Sequence, residues 1–230
     1  MAMGGPIAMN TGTRRMPTDS DLLTLAQWFS PSYPLGSFAY SHGLEMAIVT
    51  GRIDSGGSLQ AWLEDVLAHG TGRNDCILIR AAHACADLDA VAEVDGHARA
   101  FASSAERLAE TRVQGGAFAR TTAAIWGAAL PELTHPVAVG YAAGRMSLPL
   151  ELTAQMYLQA FASNLVSAAV RLVPLGQTEG QACLAALSGL VGQVVAKSRG
   201  MDLDDLAGSA FLSDVAAMRH ETLEHRIFRS

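Results

Sequence analysis

The chain has 230 residues, half of them apolar but only 6% aromatic, and 16 Lys and Arg set against 22 Asp and Glu give a formal net charge of −6. With that net charge and Lys197 as the one lysine, nothing in the sequence resembles the clustered basic surface that a nucleic-acid binder needs. A core drawn from Ala, Leu and Val favours close-packed helices over a sheet, and a chain of this length buries about 70% of its unfolded surface.

In chain order, residues 1–19 are rich in Gly, Thr, Pro and Met and lack an apolar h-region. They read as a disordered lead-in, not a signal peptide. Residues 20–230 read as one all-α domain, a single helical bundle of about ten helices. Leu22, Leu25, Ala26 and Phe29 follow helical spacing behind Asp19, Ser20 and Asp21. Leu44, Ala47 and Ile48 carry a second helix that Gly51 ends. Ser58 is expected to cap a third, with Leu59, Trp62, Leu63, Val66 and Leu67 on its inner face. Further helices are predicted near 74–86, 89–102, 104–129, 136–147, 150–172, 177–199 and 213–227. Gly115-Gly116 inside the long one predicts close backbone approach by a neighbour, since glycine otherwise weakens a helix.

Pro149 suits the start of the 150–172 helix. There Ala154, Leu158, Phe161, Leu165, Ala168 and Leu172 step by 4 and 3, and Leu184, Leu187, Val191 and Val194 repeat the seam on the next helix. Both helices are therefore expected in the middle of the bundle, where truncating Phe161 to Ala would cost about 3–5 kcal/mol. The uncharged stretches 152–170 and 180–196 carry Gln155, Gln159, Asn164, Gln181, Ser188 and Gln193. That polarity argues for buried helices and against membrane spans. The scattered cysteines Cys76, Cys85 and Cys183 form no even disulfide framework and point to a reducing cytoplasm.

Candidate chemistry is sparse. In "SPSYPLGSFAYSHGLE", residues 30–45, Ser41 and Glu45 share a helix face, while His42 lies about 100° from Ser41. A serine nucleophile needs a base in reach and an oxyanion hole, and neither is legible. The tail "RHETLEHRIFRS" holds His220 and His225, one residue too far apart for the H-E-x-x-H zinc helix and about 140° apart on a regular one. Cys76 and His83 are two turns apart, about 10.5 Å, and read as a buried thiol and an incidental histidine. No phosphate-cradling G-x-x-x-x-G-K-[ST] loop is present. Asn164, Ser167 and Arg171 form a polar stripe at i, i+3 and i+7. Arg171 either caps its own helix C-terminus or anchors an interface.

Three of these stretches carry a resemblance. "SPSYPLGSFAYSHGLE" at 30–45, "AAVRLVPLGQTEGQ" at 168–181 and "MRHETLEHRIFRS" at 218–230 are similar to the N-terminal, central and C-terminal motifs of the urease accessory protein UreF family. "ETRVQGGAF" at 110–118 and "HPVAVG" at 135–140 fit as well. Two departures are Ser37, where the family often has glycine, and Ile227, where leucine is usual. The resemblance covers residues 20–230. It implies an all-α cytoplasmic protein without catalytic activity, which bridges a UreD (UreH)-type protein and the GTPase UreG for nickel insertion into apo-urease. It further implies a homodimer and a C-terminal docking tail that orders on the UreD-type partner.

In that reading no cofactor or metal is bound by this chain, nickel and GTP being handled by the assembled complex, with no nucleic acid and no membrane involved. The partner-binding residues it implies are Tyr40, His42, Glu45, Arg171, Gly176, Gln177, His220, Glu221, Arg226, Phe228, Arg229 and Ser230. Without the resemblance, the residues also fit a dimeric helical ligand-binding or regulatory protein, with a polar pocket around Asn164 and Arg171.

Overall fold

The computed structural model describes residues 16–127 and 129–230. In order they form α1 (Asp19–Trp28), a 3-10 turn (Ser37–Ala39), α2 (Leu44–Val49), α3 (Gly56–His69), α4 (Thr71–Ala84), α5 (Leu88–Ala100) and α6 (Ala105–Trp126). Then follow α7 (His135–Arg145), α8 (Leu150–Leu172), α9 (Gln177–Lys197), a second 3-10 turn (Leu203–Asp205) and α10 (Phe211–His220). The described residues contain no strand, as the composition led one to expect. None of their helices is long and apolar enough to cross a membrane. Of the expected lead-in, residues 1–15 lie outside the described residues, and Asp19 already opens α1. Thr18 caps that helix through a reciprocal pair with Asp21.

The most deeply buried helix is α7, in which Pro136 through Ala143 are all buried. It packs most extensively on α4 and also against α6. Gly140 makes the α4 crossing possible, because a Cβ there would collide with the Ile79 carbonyl oxygen. Gly115 does the same on α6, where a Cβ would strike the Leu133 carbonyl oxygen just before α7. The Gly-Gly pair is thus explained at its first member. Gly116 meets only the flexible side chain of Arg120.

Several sequence expectations need correcting. The α1 stripe is turned: Leu25 and Trp28 are fully buried, while Leu22 is exposed and Ala26 lies outward. Trp28 wins because its indole meets Phe118 and Trp126 edge-on, at 4.9 and 5.9 Å between centroids. Helix α3 starts earlier than expected, capped by Ser55, with Ser58 as the N3 partner of a capping box. Helix α9 is a surface helix. It buries Cys183, Leu187, Val191, Val194 and Val195 but exposes Ala182, Ala185, Ala186 and Gln193. An alanine-rich face reads as apolar but has little area to bury. Phe161 is only partly buried, its ring edge-on to His42 at 5.1 Å, so its truncation costs less than a full core cavity.

The last helix is also shorter than expected. It stops at His220, and residues 221–230 turn back over the start of α2. The backbone N–H groups of Ile227 and Phe228, which a longer helix would have used internally, donate instead to the Glu45 carboxylate.

Gly115→Ala is expected to lower stability by about 3 kcal/mol, because backbone rather than a flexible side chain must move. Gly189→Ala, on α9 with nothing within 4 Å of the added carbon, is expected to gain up to about 1 kcal/mol. Urea denaturation of both variants against the parent chain checks the pair.

Candidate functional site

The site begins with a backbone device. His42 and Gly43 both take left-handed conformations, with φ of 58° and 75°, which sets Ser41 and Glu45 toward the C-terminal segment. Glycine is required at 43, since a Cβ there would lie 2.7 Å from the Ala217 backbone nitrogen of α10. His42 tolerates its conformation because its side chain is held on both sides. Its Nε2 lies 3.0 Å from Thr71 Oγ1, and its ring packs on Phe161. Burial, aided by the positive field of Arg107, pushes its pKa well below the usual histidine range, so the ring is neutral.

Onto this start folds the segment 221–230. Glu45, 3% exposed, accepts from Ile227 N at 2.7 Å and from Phe228 N at 2.9 Å. Its Oε2 also lies 3.1 Å from His220 Nε2. The other ring nitrogen of His220 faces Glu106 Oε2 at 2.7 Å, and Glu106 pairs with Arg226. Ser230 O accepts from Ser41 N at 2.9 Å and from the Ser41 hydroxyl, and Ser230 Oγ donates to Glu110. Arg107 pairs with Glu110 three residues on. Arg229 N donates to Ala39 O at 2.9 Å.

Helix α8 closes the other side. Arg171 donates from Nη2 to Phe38 O at 3.0 Å and from Nε to Ser167 O at 3.2 Å, and its guanidinium carbon sits 4.5 Å above the Phe228 ring. Asn164 Nδ2 donates to Tyr40 O at 3.3 Å. Arg171 thus reaches a carbonyl one turn back in its own helix and grips two other segments of the chain.

Chemically this is a clasp. Ser41 donates to Ser230 rather than to a base, and Glu45 is occupied by three donors, so a serine-nucleophile arrangement does not form. His225 lies exposed beyond the end of α10. Of the residues singled out from sequence, Tyr40, His42, Glu45, His220, Phe228 and Ser230 are all under 9% exposed and form the interior of the clasp. Arg171, Arg226 and Arg229 surround it at the surface, and Glu221 caps α6 by accepting from Ala105 N at 2.7 Å. Gly176 and Gln177 sit apart from these contacts at the start of α9. Sequence reasoning missed Glu106 and Glu110. Their i, i+4 spacing on α6, facing a cationic tail, was the signal available.

Beside the clasp lies a cavity of about 590 Å³ whose lining includes Phe29, Asp75, Arg107, His135, Tyr157 and Asn164. Tyr157 Oη donates to Asp75 Oδ2 at 2.7 Å. Burial pushes the Asp75 carboxyl from 3.8 up to about 7, against the lowering effect of that hydrogen bond, and lowers His135 to about 4. Asn164 lines this space, whereas Arg171 is turned to Phe38 and Phe228.

Glu45→Ala is expected to weaken docking of the segment by about 3 kcal/mol, because two backbone donors and His220 lose a charged acceptor. Faster amide exchange at 227 and 228, with the remaining helices unchanged, is the readout. For Asp75 the sign follows from a folded-state pKa raised above the unfolded one: its contribution is fully present below 3.8 and is lost as pH rises through about 7. Asp75→Asn is therefore expected to be more stable than the parent above neutrality and to show a flatter stability profile across that window, as read by urea denaturation.

The UreF family model matches residues 53–188. The chain is 50% identical over 214 residues to the urease accessory protein UreF of Ruegeria pomeroyi, covering 93% of this chain and 99% of that one. It is 51% identical over 224 residues to that of Roseobacter denitrificans, covering 97% and 100%. A Cereibacter sphaeroides relative of the same description is 54% identical over 209 residues, covering 91% and 98%. With a family model matching more than half of its length and relatives at about half identity from end to end, the chain belongs to the UreF family of urease accessory proteins.

Proposed function

We propose that the chain is a non-catalytic scaffold of urease maturation, which binds a UreD (UreH)-type protein and recruits the GTPase UreG so that GTP hydrolysis is coupled to nickel insertion into apo-urease. The observation that carries this reading is the near full-length identity of about half to proteins named urease accessory protein UreF. In this reading the chain acts in the cytoplasm as a homodimer, binds no cofactor of its own, and leaves nickel and GTP to the assembled complex.

The clasp supports the reading by joining the loop before α2 and the C-terminal segment into one presented surface. Phe38 on the opening loop and Ile227 on the C-terminal segment are 70% and 72% exposed, and Arg171 and Arg229 are exposed beside them. Large apolar groups ringed by arginines are the composition of a protein-binding surface. The buried residues of the clasp shape that surface from beneath rather than touching a partner.

The test is co-expression of apo-urease with its accessory set, with and without this chain, followed by urease activity and bound nickel. Nickel-poor, inactive urease only when the chain is missing is the expected result, and full activation without it would contradict the proposal. Arg171→Ala, and removal of residues 221–230, are each expected to leave the helical core folded by circular dichroism while abolishing capture of the UreD-type partner.

A further inference from the structure

We propose that the cavity beside the clasp is a binding site for an organic monocation, a primary ammonium carried on an aromatic body, with Asp75 receiving the charged head. The space, about 590 Å³, falls within the range of small-molecule sites. Asp75 is 9% exposed, and its two oxygens stand in different surroundings. Tyr157 Oη donates to Oδ2 at 2.7 Å. Oδ1 has no hydrogen-bond partner among the described residues, and it is not one of their closed-off polar atoms. It therefore presents an open acceptor to the cavity that Asp75 lines. A carboxylate placed this deeply is best met by a donor that brings a charge of its own.

The surroundings select the sign of the ligand. The wall carries three carboxyl side chains, Asp75, Glu110 and Asp214, against the guanidinium of Arg107. That guanidinium already pairs with Glu110. His135 adds no positive charge, because burial lowers its pKa to about 4. Burial likewise raises the Asp75 carboxyl to about 7, with Glu110 adding to the effect and Tyr157 and Arg107 offsetting only part of it. An anion entering here meets three acids, and a neutral molecule leaves the Asp75 charge uncompensated. Among the described residues no three His, Cys, Asp or Glu side chains are placed to hold a metal ion, so the fitting cation is organic. The rest of the wall suits its body. Phe29, Met156 and Phe161 are only partly covered by the core, and Phe101 is 45% exposed, which gives aromatic and thioether surface for an apolar group and its cationic end.

The experiment uses the full chain and three probes that share an indole body and differ in the head: tryptamine, the alcohol tryptophol and the acid indole-3-acetate. Each is titrated by calorimetry at about pH 8, where the amine is still protonated. Tryptamine is expected to bind at least about tenfold more tightly than tryptophol, and indole-3-acetate most weakly. Asp75→Asn keeps the shape and removes the charge. It is expected to weaken tryptamine at least about tenfold while leaving tryptophol unchanged. The comparison of heads is made on the unaltered chain, so the charge preference is read whether or not the variant folds. Equal binding of amine and alcohol, tightest binding of the acid, no binding of tryptamine at millimolar concentration, or undiminished tryptamine affinity in folded Asp75→Asn would each overturn the proposal.

Discussion

A carboxylate with almost no access to water must be supplied with donors from its surroundings, and at Glu45 those donors come from the far end of the chain. The amides of Ile227 and Phe228 and the ring of His220 surround it, 175 or more residues away in sequence. Removing them leaves a buried carboxylate without its donors; removing Glu45 leaves the buried Phe228 amide and the part-buried Ile227 amide without an acceptor. Neither the start of α2 nor the C-terminal segment is therefore complete without the other. The left-handed pair His42 and Gly43 exists to aim this one side chain, and the position of α10 against α2 follows from it.

The rest of the bundle serves as a frame for that meeting. The α4–α7 crossing at Gly140 and the α6–α7 approach at Gly115 set α6 in place. From there α6 presents Glu106 and Glu110 to the returning segment. Helix α8 reaches the same place from the opposite side, with Arg171 on Phe38 and Phe228 and Asn164 on Tyr40. Three helices and a loop thus converge on ten residues that have no regular structure of their own. The nearby cavity, with Asp75 and Tyr157 in its wall, shares Arg107 and Glu110 with the clasp.

Much of this was legible before any coordinates. The all-helical class follows from an Ala, Leu and Val core, and the α8 seam from its 4 and 3 spacing. Gly115 announced a close crossing because helices otherwise avoid glycine. The failures have physical causes too. Alanine counts as apolar whichever way it faces, so α9 read as central when it lies at the surface. The α10 boundary was overrun because nothing local shows that the amides of 227 and 228 are claimed by a carboxylate in another helix. The same blindness let Ser41, His42 and Glu45 be weighed as a reactive trio when each is engaged by a different partner elsewhere in the fold. Long-range hydrogen bonds leave no period in a sequence.

For a member of the UreF family, the consequence is a surface assembled from the loop before α2 and the C-terminal segment. The most direct measurement is a cross-link across it. Ala39 and Arg229 are joined by a backbone hydrogen bond of 2.9 Å. Ala39→Cys with Arg229→Cys, in a background with Cys76, Cys85 and Cys183 replaced, should close into an intramolecular disulfide under mild oxidation without any partner present. Near-complete closure in the folded chain, lost when Glu45→Ala is added, is the predicted result. Absence of closure in the folded chain, or closure indifferent to Glu45, would contradict the account.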